Sequence, residues 1–171
     1  MSNESVVPSA SDSTWGAFLL GCRGAIAGVC AVAVALVLKL PYPLYALIAA
    51  VLVSDASMAT VKALGGQRLI GTLIGAMTGA ILSMLCGNAL YGMGLAILIA
   101  LLCCHKAGLR EAAKFAGYVA GLIVLEHTHS PWRYALDRLI ETSIGIIFAY
   151  LVGILFQLVL SRTHAGAGKA Q

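Results

Sequence analysis

Apolar residues dominate this chain in long runs that short polar or helix-breaking segments separate. Six runs approach the length of a membrane-spanning helix, and they cover residues 17–38, 43–60, 67–86, 89–104, 113–127 and 136–160. A helix needs about 20 apolar residues to cross the hydrocarbon core of a bilayer, and shorter helices are tolerated where protein surrounds them. The pattern therefore predicts an all-α fold, an integral membrane bundle of six transmembrane helices.

The runs are separated by residues that stop helices, so the connections between them are predicted to be short. Proline and glycine oppose helix continuation, and they stand between runs at Pro41, Pro43, Gly87 and Pro131. Residues 1–14 and 163–171 lack hydrophobic periodicity, and we expect them to be disordered tails. We therefore predict one transmembrane domain, which covers residues 15–162.

Composition favours lipid as the solvent of these helices. Hydrophobic residues make up 60% of the chain and charged residues 11%, with a mean hydropathy of +0.94. A soluble chain of this length has about one core to fill, which is too little to bury so many apolar residues. The formal net charge of +4 comes without a basic patch interleaved with aromatic residues, so we expect membrane lipid as a partner and no nucleic acid.

One segment of the chain occurs twice. The octet RLIGTLIG at 68–75 returns seventy positions later as RLIETSIG at 138–145, with six of eight residues identical. The same offset maps the first three runs onto the last three, which gives a first repeat at about 17–86 and a second at about 87–160. Because three is odd, corresponding helices are predicted to run in opposite directions, as in the three-plus-three inverted repeats of many membrane transporters.

Lys and Arg residues predict the orientation, because cytoplasmic loops carry the excess of them. On the side shared by both termini lie eight basic residues, which are Arg23, Lys62, Arg68, Lys106, Arg110, Lys114, Arg162 and Lys169. The other side has three, which are Lys39, Arg133 and Arg138. Both termini are therefore predicted to be cytoplasmic, with Arg68 near the cytoplasmic face and Arg138 near the outer face.

Charged residues inside the runs are candidates for function, because ionisable side chains are costly within a membrane. Arg68 and Arg138 each open the third helix of a repeat, close to a helix N-terminus whose free N–H groups would add to the attraction for an anion. A guanidinium matches the geometry of a carboxylate. Arg23, Thr72 and Thr142 complete the predicted substrate-binding set, although Arg23 can instead reach the lipid headgroups.

Three carboxylates are candidates for proton coupling. Asp55 and Glu126 end the second and fifth runs at nearly equivalent positions, and Glu141 lies one turn into the sixth run. Buried carboxylates in membrane helices often carry protons, which would make transport proton-coupled. Structural readings stay open, since Asp55 can cap a helix or pair with Lys62, and Glu141 can pair with Arg138 or Arg133.

Other residue patterns carry less chemistry. Glycine and alanine recur every four residues, as in Gly71, Gly75 and Gly79, a spacing typical of close helix packing. The five cysteines are odd in number and read as small apolar packing residues. His127 and His129 beside Glu126 suggest an interfacial polar loop more than a metal site, and no nucleotide-binding loop occurs. We predict no metal and no cofactor.

Two segments carry a family resemblance. YPLYALIAAVLV at 42–53, followed by RLIGTLIGA at 68–76, resembles the fusaric acid resistance-like and aromatic acid exporter family, whose members show a Tyr-Pro turn into the second span and then an Arg-Gly-Thr-Gly signature. The resemblance covers about residues 17–160. It implies a transporter of the bacterial inner membrane that exports aromatic carboxylic acids or similar small organic anions.

The chain departs from many of these relatives in size, since they combine two six-helix halves with a cytosolic region. We expect a homodimer in which two copies stand in for the two halves. A channel-like or structural membrane subunit stays open as an alternative, with the arginines joining helices. An enzyme would need several His, Asp or Glu residues on one membrane face, and since only the stretch at 126–141 approaches that density, we predict that the protein is not an enzyme.

Overall fold

A computed structural model describes residues 10–55, 57–87, 89–126 and 130–167. These residues form six helices, which are α1 Ala10–Val37, α2 Leu44–Val53, α3 Met58–Cys86, α4 Leu90–Lys106, α5 Arg110–Glu126 and α6 Pro131–Ala167. The predicted all-α class is confirmed, and the order of the helices follows the six apolar runs. Residues 1–9 and 168–171 of the predicted tails lie outside the described residues, as do His127 and His129.

Several helix bounds differ from the prediction. α1 begins at Ala10 and α6 continues to Ala167, so parts of both predicted tails are helical. α2 ends at Val53 instead of residue 60, and α3 begins at Met58 instead of residue 67. The prediction followed hydropathy, whereas a helix continues through polar residues as long as its backbone hydrogen bonds continue.

Helix length separates two groups of helices. Within the described residues, three helices contain a segment long and apolar enough to cross a membrane, namely Thr14–Val37, Met58–Cys86 and Pro131–Val159. α2 has 10 residues and extends about 15 Å, half of the roughly 30 Å of a hydrocarbon core. α4 is a shorter apolar helix as well. The long helices α3 and α6 form the centre. The long helix α1 and the shorter helices α2, α4 and α5 pack against them.

The two halves of the chain use the same helix pairings. α5 packs on α3 as α2 packs on α6, α4 packs on α3 as α1 packs on α6, and α1 pairs with α2 as α4 pairs with α5. α3 and α6 also pack on each other, with Gly65 against Ile146 and with Ala76 and Ala135 in one core cluster. Because the residue number rises along α3 as it falls along α6, these two helices are antiparallel.

Glycines allow the closest of these contacts. A Cβ atom on Gly75 would collide with the carbonyl oxygen of Ala116 in α5, and a Cβ atom on Gly145 would collide with that of Ala46 in α2. Gly71 and Gly79 also lie against the α5 backbone. The four-residue spacing in α3 thus brings two helix backbones together, as predicted for a close-packing stripe.

Alanines fill most of the remaining core. α1 contributes Ala27, Ala31 and Ala35 to one cluster, and α4 contributes Ala96, Ala100 and Cys104 to another. All five cysteines are free, and Cys104 is buried among apolar side chains. Cys104 and the partly buried Cys86 thus pack in the core as predicted, whereas Cys103 is exposed.

The turns that end α1 and α4 share a left-handed residue. Gly108 has a φ of 73° and Lys39 a φ of 53°. In each turn the next residue donates a hydrogen bond back into the helix, from Leu109 N to Cys104 O over 2.9 Å and from Leu40 N to Ala35 O over 3.0 Å. Left-handed backbone costs nothing at glycine, whereas a side chain strains it.

Candidate functional site

Two arginines lie inside the bundle where α3 and α6 pack on each other. Arg68 in α3 and Arg138 in α6 are each only 1% exposed, and they are the largest fully buried side chains. Both belong to the predicted substrate-binding set. Since most buried charges are paired or coordinate a metal, their surroundings decide what the site can do.

Arg68 is partly satisfied by aromatic side chains of α5. Its Nη2 donates a hydrogen bond to the Tyr118 hydroxyl over 3.3 Å, and its Cζ lies 5.0 Å from the centroid of the Phe115 ring. Within the described part of the chain its Nε and Nη1 have no hydrogen-bond partner. Two donor nitrogen atoms of a buried cation therefore have no acceptor among the described residues.

Within the described residues, the contacts of the Arg138 guanidinium are with aromatic rings. Its Cζ lies 3.1 Å from the centroid of the Tyr45 ring in α2 and 5.6 Å from that of Tyr134. Among the described residues none accepts a hydrogen bond from its Nε, Nη1 or Nη2. Tyr45 and Phe115 stand seventy positions apart, so each arginine meets an aromatic ring at the equivalent position of the other half.

The two guanidinium groups converge on Tyr118. This ring lies 5.5 Å from the Cζ of Arg138, while its hydroxyl accepts the hydrogen bond from Arg68. The site is therefore one centre with two cations. The sequence pattern instead predicts Arg68 near the cytoplasmic face of the membrane and Arg138 near the outer face.

Helix bounds explain this difference. α3 begins at Met58 and α6 at Pro131, so Arg68 and Arg138 lie about 15 Å and about 10 Å into their helices. The prediction that each arginine sits beside a helix N-terminus is wrong. Free N–H groups at the starts of α3 and α6 therefore do not contribute to this centre.

Aromatic side chains surround the Arg138 side of the centre. Tyr42 and Tyr134 meet edge to face at 5.0 Å between ring centroids, and Tyr42 and Tyr45 lie 6.1 Å apart. The hydroxyls of Tyr134 and Tyr45 are 3.2 Å apart. These tyrosines were not among the predicted site residues, although Tyr42 and Tyr45 belong to the motif that carried the family resemblance.

Glu141 is fully buried, one turn beyond Arg138 on α6. Its Oε1 accepts a hydrogen bond from the Tyr42 backbone N–H over 2.8 Å, and its Oε2 has no hydrogen-bond partner among the described residues. It forms no ion pair with Arg138 or Arg133, the structural partners that the sequence suggested. A carboxylate with one unused oxygen thus lies beside the arginine centre.

The two predicted threonines follow the arginines by one turn. Thr72 is 1% exposed and Thr142 is 2% exposed. The hydroxyl of Thr72 has no hydrogen-bond partner among the residues that the structure describes. An unused hydroxyl therefore adds a neutral donor or acceptor on the side of Arg68.

Three other predicted residues lie elsewhere. Arg23 is buried, its Nη2 donates to the sulfur of Met58 over 3.2 Å, and its guanidinium packs against Gly153. Asp55 accepts a hydrogen bond from the Ser57 backbone over 3.1 Å, and Glu126 is exposed at the end of α5.

Local contacts also test the structural alternatives that the sequence offered for Arg23 and Asp55. Arg23 does not reach a headgroup position on the bundle surface, since it is 4% exposed. Lys62 lies 5.5 Å from the centroid of the Tyr150 ring and forms no ion pair with Asp55. Asp55 instead accepts a hydrogen bond in the turn before α3, and the N-cap of α3, Ser57, has no side-chain cap hydrogen bond, so the helix-capping alternative is not confirmed.

No curated protein and no solved structure matches the chain. The sequence model described as Aromatic acid exporter family member 1 matches residues 22–156, which include all six helices in whole or in part. Together with three helices long and apolar enough to span a membrane, this match makes the chain a multi-pass membrane protein. Because the match covers well over half of the sequence, the chain belongs to the aromatic acid exporter family.

Proposed function

We propose that the protein exports aromatic carboxylic acids across the bacterial inner membrane and that Arg68 and Arg138 bind the carboxylate. The observation that carries this proposal is the set of unused donors, two on Arg68 and three on Arg138. Membership of the aromatic acid exporter family supports the class of substrate and the direction of transport.

The physical argument starts from the cost of burying charge. A desolvated guanidinium without an anionic partner is strongly unfavourable, so the folded state gains when a carboxylate enters and accepts the unused hydrogen bonds. Charge-assisted hydrogen bonds of this kind are about twice as strong as neutral ones. The rings of Tyr45, Tyr134 and Phe115 offer faces and edges against which an aromatic substrate can pack.

A transporter also needs two alternating arrangements, and an inverted repeat supplies them. We infer that the chain is such a three-plus-three repeat. The equal helix pairings of the two halves support this inference. So do the antiparallel α3 and α6, and the contacts of Gly75 with Ala116 and of Gly145 with Ala46, which correspond to each other at the offset of seventy positions.

The transport experiment compares arginine variants in liposomes. Purified protein is reconstituted, and efflux of 4-hydroxybenzoate is measured for the native chain, Arg68→Lys, Arg138→Lys and the control Lys114→Arg at an exposed position. We expect each site variant to reduce transport about tenfold or more, because lysine keeps the charge and loses the fork. Equal rates in all four proteins would refute the proposed site.

Proton coupling is the finer part of the proposal. We assign it to Glu141 before Asp55 and Glu126, because Glu141 lies beside the arginines and changes their electrostatic balance when it gains or loses a proton. In the same liposomes, Glu141→Gln is expected to lose the dependence of transport on a pH gradient. Asp55→Asn and Glu126→Gln are expected to keep it.

The rival function is a structural or channel-like subunit, and one observation favours it. Arg68 joins α3 to α5 through Tyr118, and Arg138 joins α6 to α2 through Tyr45. In that role the arginines stabilise the bundle and bind no substrate. Arginine variants that unfold at lower temperature, in a protein that never moves aromatic acids, would favour this reading.

A further inference from the structure

We propose that Glu141 restricts the arginine centre to anions with a single negative charge. The inference rests on the proposed function, since it concerns the same site, and it names the charge class of the substrate and the residue that sets it. Three observations support it, namely the charges buried in the centre, the position of the Glu141 carboxylate and the difference between the two halves of the chain.

The net charge of the buried side chains matches one anion with a single negative charge. Arg68 and Arg138 supply two positive charges, and Glu141 supplies one negative charge in its ionised form, all at 1% exposure or less. One positive charge is left. Because an uncompensated charge in a desolvated site is costly, a monocarboxylate completes the centre, whereas a dicarboxylate leaves one negative charge in excess.

The position of Glu141 makes this restriction local. The side chain lies three residues after Arg138, and residues at this spacing are neighbours on one helix face. The hydrogen bond from Tyr42 N holds Oε1, while Oε2 remains without a partner among the described residues. A second carboxylate on a ligand held by Arg138 would therefore face a carboxylate that cannot easily turn away.

The first half of the chain has no counterpart to this carboxylate. Gly71 stands at the equivalent position, and a Cβ atom there would collide with the carbonyl oxygen of Ala112. Packing therefore excludes an acidic side chain at position 71. At these two equivalent positions the centre has one carboxylate, that of Glu141, for two guanidiniums. Glu141 therefore sets the net charge of the centre.

The experiment uses two ligands of nearly equal shape that differ by one charge. Terephthalate carries two carboxylates, and 4-carbamoylbenzoate replaces one of them by an amide. Binding of each is measured by calorimetry at neutral pH with the full chain in detergent, for the native protein, Glu141→Gln and the control Glu111→Gln. Glu111 is exposed and pairs with Lys114 on α5, so its variant makes the same chemical change outside the site.

We expect the native protein and Glu111→Gln to bind 4-carbamoylbenzoate more tightly than terephthalate. In Glu141→Gln the ratio of the two dissociation constants should shift towards terephthalate by about tenfold or more, because a repulsion at close range is removed. An unchanged ratio in folded Glu141→Gln would overturn the inference alone.

The native chain tests the inference even if the variant fails to fold, since a preference of the native protein for terephthalate would also overturn it. Binding of neither ligand, or binding that persists in an Arg68→Gln and Arg138→Gln double variant, would instead refute the proposed anion site and with it the charge restriction.

Discussion

At the scale of single residues, the arginine centre depends on aromatic rings as much as on charge. Arg138 has no hydrogen-bond partner among the described residues, and the Tyr45 ring at 3.1 Å is its closest ring contact. A guanidinium over a ring face gains from the quadrupole of the ring, by up to about 2 kcal/mol when both are desolvated. Tyr45 is therefore a positioning residue for Arg138.

A pair of substitutions at position 45 separates the ring from its hydroxyl. Tyr45→Leu should weaken binding of 4-carbamoylbenzoate by about tenfold, because Arg138 loses the ring that holds it. Tyr45→Phe keeps the ring and removes only the contact with the Tyr134 hydroxyl, so we expect a change of less than about threefold. Calorimetric titration of both variants checks this, and equal losses would contradict the assigned role of the ring.

The sequence indicated the arginines and threonines at this scale but missed the tyrosines. Arg68 and Arg138 were recognised because a charge within an apolar run is costly and therefore informative. A tyrosine in an apolar run carries no such signal, and its contact with an arginine of another helix depends on the helix packing. Hydropathy gives no information about that packing.

At the scale of helices, glycine contacts determine how closely α3 and α6 approach their partners. Gly75→Ala and Gly145→Ala place a Cβ atom against a backbone carbonyl, where neither atom can move aside cheaply. Overpacking of this kind usually costs about 1–3 kcal/mol. We expect both variants to lower the unfolding temperature in detergent.

Gly66→Ala is the matched control, since no atom outside its own helix lies within 4 Å of the added Cβ. It lies in α3 as Gly75 does, and alanine favours helix. Its unfolding temperature should be equal to that of the native chain or higher. A Gly75→Ala protein as stable as Gly66→Ala would contradict the close packing of α3 on α5.

The turn after α1 offers a stabilising substitution. Lys39 has a φ of 53°, whereas Gly108 occupies the corresponding turn after α4. Lys39→Gly should raise the stability by about 1 kcal/mol, because a non-glycine residue pays roughly that cost in left-handed backbone. Gly108→Ala should lower it by a similar amount. Thermal unfolding of the two variants checks the opposite signs.

Helix number and order were predictable from the sequence, whereas the helix bounds were not. Apolar runs fix where a helix must exist, but Ser54 and Asp55 ended α2 within a run, and α3 began nine residues before the predicted start. That shift moved Arg68 from a helix end to the interior. One misplaced boundary thus changed the expected chemistry of the site.

At the scale of the whole molecule, we expect two copies to associate, with both termini in the cytoplasm. Large apolar side chains remain exposed on the single bundle, among them Val29, Val37, Leu85 and Tyr91. Lipid or a second copy can cover such a surface. The mass of the detergent-solubilised particle should correspond to a dimer, and a monomer that still transports would contradict this.

The orientation has its own measurement. Reporter domains that are active only in the cytoplasm, fused to either end of the chain, should both be active, because basic residues are in excess on that side. A fusion at the turn around Lys39 should be inactive and serves as the control. One active and one inactive terminus would exclude the predicted topology.

Tyr118 connects the buried arginines with the surface of the bundle. Its hydroxyl accepts the hydrogen bond from Arg68 and its ring centroid lies 5.5 Å from the Arg138 Cζ, yet the residue is 37% exposed. Ile48 occupies the equivalent position in the first half. A substitution at this surface position would therefore change the surroundings of both buried charges.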